Sequence, residues 1–76
     1  MLRGPLRRDR DEARSLLSQL TTALELAAGD LPADTRAAVE RYQLLAGAAL
    51  AGSPDQDDFR RSIEFSRTGL GLLGES

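Results

Sequence analysis

Seventy-six residues with neither cysteine nor histidine allow one small domain and exclude disulfide staples, thiolate metal sites and imidazole acid/base chemistry. The net charge of −2 arises from arginines interleaved with Asp and Glu, which is not the footprint of a strong nucleic-acid binder. A chain of this length buries only about 60% of the surface its unfolded form exposes, so apolar packing holds it with little margin and help from a partner or a second copy is expected.

Residues 1–8, with Gly4, Pro5 and the charges of Arg3, Arg7 and Arg8, read as a flexible leader. They lack the apolar centre of a signal peptide, and the longest apolar run, Leu44 to Ala51, is far shorter than a membrane span. The chain is therefore expected in the cytoplasm and away from membranes. Asp9, Asp11 and Glu12 interrupt the leader's basic residues and argue against an arm for RNA or acidic lipid.

From about Asp9 to Ala28, Ala13, Leu16, Leu17, Leu20, Leu24 and Ala27 recur at the three-and-four spacing of one helix face. Gly29 fits the left-handed position past a helix end, and Pro32 suits the first turn of the next helix. So short a turn predicts that helices one and two are antiparallel neighbours.

The second helix, 32–51, places Ala38, Tyr42, Leu45 and Ala49 on one face, widened by Val39, Ala46 and Leu50 on one side and by Leu44 and Ala48 on the other. Its second half is apolar almost all round, which makes it the expected central element. Gly47, costing about 1 kcal/mol relative to Ala inside a helix, implies a close helix approach, either within the chain or from a second copy.

Gly52 closes that helix, and Ser53-Pro54-Asp55-Gln56 predicts a new start, with Ser53 as the cap, Pro54 at the first position and Gln56 reaching back. Asp55, Asp57 and Asp58 add favourable charge at the positive helix end. The third helix runs over 54–73, weakened towards its end by Gly69, Gly71 and Gly74. Phe59, Ile63, Leu70 and Leu73 form a stripe for packing against the other helices. Phe65 and Leu72, seven residues apart and flanked by the small Ser62 and Gly69, form a second face. Phe65, Leu72, Ser62, Gly69 and Gly47 are the expected partner interface.

Catalysis finds no residues to work with. Ser and Thr have no histidine to activate them, and there is no lysine for a Schiff base or a P-loop. Glu25, Glu40 and Glu64 fall on solvent-facing positions, with Arg36–Glu40, Arg60–Glu64 and Asp57–Arg61 at helix-pair spacing. The aspartates at 55, 57 and 58 lack the glycine turn and terminal bidentate Glu of a calcium loop. No catalytic, cofactor-binding or metal-ligating residue is assigned. A last helix bearing Arg60, Arg61 and Arg67 could imitate a helix-turn-helix, but Asp57, Asp58 and Glu64 on the same helix would repel phosphates.

An arginine-only, Ala- and Leu-rich make-up suggests a GC-rich genome such as an actinobacterium's. From Leu31 to Gly74, the order Leu-Pro, an Ala-rich helix, a Gly-Ser-Pro turn and Phe-Arg-Arg-Ser-Ile (within Asp58 to Ile63) resembles small actinobacterial helical domains of unknown function, some of which accompany effector modules in conflict and signalling systems. That resemblance covers just over half the chain and implies an accessory interaction role. The reading is an all-α, three-helix fold, an antiparallel helical hairpin plus a third helix, that self-associates. It acts as a small non-enzymatic adaptor or self-assembling accessory protein, its partner being another protein or itself, as a dimer. The rival reading is a small nucleic-acid-binding regulator or antitoxin-like protein.

Overall fold

A computed structural model describes residues 4–74 and is an all-α, three-helix fold: α1 (Gly4–Ala27), a 3-10 turn over Ala28–Asp30, α2 (Ala33–Ala49) and α3 (Gln56–Gly74). α1 begins at Gly4 and not at Asp9, so most of the expected leader is helical. Pro5 sits in the first turn, where its missing N–H would have had no partner in any case. Residues 1–3 of that leader lie outside the described residues.

Gly29 does not take the left-handed conformation. It lies inside the 3-10 turn, after which Leu31 leaves in extended backbone at φ −88° and ψ 139°. Pro32 caps α2 instead of opening it, its carbonyl accepting the Arg36 N–H at 2.9 Å. At the other end, Leu50 N–H donates to Gly47 O at 3.1 Å and Ala51 N–H to Ala48 O at 3.2 Å, tightening the last turn. Gly52, at φ 72°, then supplies the left-handed residue that turns the chain.

The cap of α3 lies two residues beyond the expected Ser53. Asp58 N–H donates to Asp55 Oδ1 at 2.9 Å, and Asp55 N–H donates to Asp58 Oδ2 at 3.0 Å, a reciprocal box closed by carboxylates. The Asp55 carbonyl accepts the Phe59 N–H at 3.0 Å. Gln56 does not reach back; its amide donates to Asp9 Oδ2 on α1.

Cross-helix pairs give the directions. Asp9 meets Gln56 and Arg60, and Leu20 meets Gly69, so α1 and α3 run parallel. Ser62 meets Ala46 and Phe65 meets Tyr42, so α2 runs antiparallel to α3. α3 is the central element. It packs along both other helices, whereas α1 and α2 meet less, through Leu20 and Leu24 in one cluster with Val39 and where Gln43 Nε2 donates to Thr21 Oγ1 at 3.0 Å. The expectation that α2 would be central is therefore corrected.

Two apolar clusters form the core. Ala13, Phe59 and Ile63, with Leu16 and Leu50 against them, fill one end. Leu20, Leu24 and Val39, backed by Leu31, Leu70, Leu72 and Leu73, fill the other. Between the clusters α3 presents small residues, Ser62, Ser66 and Gly69, all buried. The bundle is elongated, 46 × 18 × 16 Å, with a radius of gyration of 13.0 Å.

α2 is rotated from the expected orientation. Val39 and Ala46 are fully buried, whereas Leu44 and Leu45, expected to face inward, are 74% and 38% exposed. The second half of α2, apolar on nearly every side, offers no polar face to orient it by, and the small surface of α3 takes the side that fits.

Candidate interaction surface

Two of the expected interface residues are enclosed within the chain. Ser62, fully buried, donates its hydroxyl to Ala46 O at 2.9 Å. That carbonyl is the first of the four at the end of α2 that no helical N–H can reach, so Ser62 completes the cap of α2 from the neighbouring helix. Gly69 is where the chain needs a glycine for close approach: a Cβ there would lie 2.9 Å from Leu20 Cδ1, 3.0 Å from Leu20 Cδ2 and 3.5 Å from Tyr42 Cβ. The small residues thus admit α1 and α2, not another molecule, and neither residue fronts a partner.

Leu72 is half-buried and packs against the Leu20, Leu24 and Val39 cluster. Gly47 meets nothing: a Cβ built there has no atom within 4 Å, so the expected approach of a helix from within the chain is absent. Nothing in the structure explains this glycine.

Phe65 keeps part of the expected role. Half-buried at the edge of α3, its ring lies 6.2 Å from that of Tyr42 on α2, tilted by 35°. The pair forms the flank of an open groove of about 590 Å³, lined also by Ala37, Ala38, Arg41 and Leu45. The groove continues onto the outward face of α2. At about 100° per residue, Asp34, Ala37, Ala38, Arg41, Leu44, Leu45 and Ala48 share that face, and all but the half-buried Ala38 are exposed. Leu44 and Leu45, expected to pack inward, lie on this outward face, and the charged Asp34 and Arg41 that share it are the signal in the sequence that marks it as outward. Leu26, 82% exposed on α1, is an isolated apolar residue of the kind monomers tolerate.

The charged residues lie mostly elsewhere. The expected pairs Arg36–Glu40, Arg60–Glu64 and Asp57–Arg61 do not form. Instead Arg60 reaches Asp9 at 3.9 Å and Arg67 reaches Glu12 at 2.6 Å, both across to α1, while Arg61 lies 3.8 Å from Asp58. All three α3 arginines that could have faced phosphates are thus held beside carboxylates. Asp55 and Asp58 are bound to backbone N–H groups as the helix cap.

No helix among the described residues is long and apolar enough to cross a membrane. Against known proteins this chain stands apart, with no family model matching it and neither a curated protein nor a solved structure found similar to it.

Proposed function

We propose that this chain is a small, cytoplasmic, non-enzymatic interaction protein, an adaptor or self-assembling accessory, that docks through the outward face of α2 and the adjoining Tyr42–Phe65 groove. The observation that carries the reading is Leu44, 74% exposed beside Leu45 on a helix that buries Val39 and Ala46 on its opposite side. Leaving the larger apolar residues in water forgoes stabilisation of about 25 cal/mol for each Å² of apolar surface. A covering partner recovers it. Aromatic residues with a neighbouring Arg are also the side chains enriched in interface cores.

A nucleic-acid partner has less in its favour, because Arg60, Arg61 and Arg67 each lie against an acid.

The test is site-specific photo-crosslinking in the producing cell. A photoreactive residue at position 44 is expected to give a covalent protein adduct, which Leu45→Asp abolishes. The same residue at position 25, exposed on α1, is expected to give none. Equal labelling from positions 44 and 25, or none from 44, would sink the reading.

A further inference from the structure

The outward face of α2 carries two charges, Asp34 and Arg41, which stand at equal distances on either side of the Ala37–Ala38 pair, about 5 Å along the axis at 1.5 Å per residue. Neither forms an ion pair or side-chain hydrogen bond among the described residues. Arg36 and Glu40 fall off this face at about 100° per residue. A face with one acid and one base placed symmetrically about a small centre is complementary to itself, which is what an isologous two-fold interface requires.

We infer that this face pairs with the same face of a second copy of the chain, antiparallel about an axis between Ala37 and Ala38, so that Arg41 of each copy meets Asp34 of the other. This deepens the interaction reading above and rests on it. The alanines let the two helix axes approach to about 8 Å, the close end of the usual range. Leu44 and Leu45 then lie over the turn at Leu31 and Pro32 of the partner subunit, where Pro32 is exposed and Leu31 half-buried.

The experiment measures solution mass by sedimentation from micromolar to millimolar concentration for the full chain and two variants, Arg41→Asp and Asp34→Arg, with helicity checked by circular dichroism. The parent chain is expected to dimerise. Each variant alone sets like charges opposite each other and is expected to weaken the dimer at least about tenfold. An equimolar mixture of the two restores opposite charges across the interface and is expected to recover the dimer. Leu44→Asp, at an exposed position, is expected to weaken it equally and serves if a charge variant loses helicity. A parent chain monomeric at millimolar concentration, variants that dimerise as the parent does, or a mixture that fails to recover overturns the inference. If the chain is monomeric while position 44 crosslinks to a different protein, the second copy is excluded and the interaction reading survives. Absence of any adduct removes both.

Discussion

Ser62 and Ser66 lie one turn apart on the buried face of α3, and both are fully enclosed. Ser62 has a partner in the Ala46 carbonyl, whereas the Ser66 hydroxyl has none. Removing the first hydroxyl strands a buried carbonyl, and removing the second relieves a buried group of its lost hydration. Ser62→Ala is therefore expected to destabilise the fold by about 2 kcal/mol, and Ser66→Ala to leave it unchanged or to stabilise it by about 1 kcal/mol. Urea melts of the two variants check this, and equal effects would show that hydrogen bonding does not distinguish them. Glycines give a second contrast. Gly47→Ala meets open space and is expected to gain up to about 1 kcal/mol from helix propensity. Gly69→Ala presses on Leu20, which is itself fully buried, and is expected to lose about 1 kcal/mol, overpacking outweighing propensity. Thermal melts in which both variants move the same way would contradict the close approach of α1 to α3.

At the scale of elements, glycine and proline marked the helices well and the capping chemistry poorly. Gly52 was legible because a helix end followed by a left-handed glycine has few alternatives. Gly4 and Pro5 misled, since residues that interrupt a helix interior are harmless in its first turn. Ser53-Pro54 also drew attention from Asp55-x-x-Asp58, a capping box written in aspartates. Asp55→Ala is expected to cost about 1 kcal/mol, and Ser53→Ala close to nothing. Denaturation of both variants decides between the two caps. The stripe of Phe59, Ile63, Leu70 and Leu73 on α3 was readable because polar residues bound it on the far side. The second half of α2 has no such boundary, and the face bearing Leu44 and Leu45 is marked only by Asp34 and Arg41 earlier in the helix. Ser62 and Gly69, expected to front a partner, instead receive α2 and α1 within the chain, because small residues admit a close helix without specifying from which molecule it comes.

At the scale of the molecule, α3 supplies Phe59 and Ile63 to one core cluster, backs the other with Leu70, Leu72 and Leu73, and packs along both other helices. A fragment ending at Ala51 keeps α1 and α2 but loses Phe59, Ile63, Leu70 and Leu73 from the core. Two helices of this length with sparse mutual contact cannot offset their ordering entropy. The fragment is expected to show less than about half the helicity per residue of the whole chain by circular dichroism, isolated helices being marginal in water. A well-folded fragment would return α2 to the centre of the fold.

The parallel pairing of α1 with α3 also sets the order of events on the ribosome. Asp9 and Glu12 must wait for Arg60 and Arg67, residues translated dozens of codons later. Until then α1 and α2 have only their small shared cluster, Leu20 and Leu24 with Val39, to close on, and the longer contacts of both helices with α3 come last. Most of the core therefore closes only after α3 has been made, and in that interval Phe59 and Ile63 are missing from the cluster around Ala13.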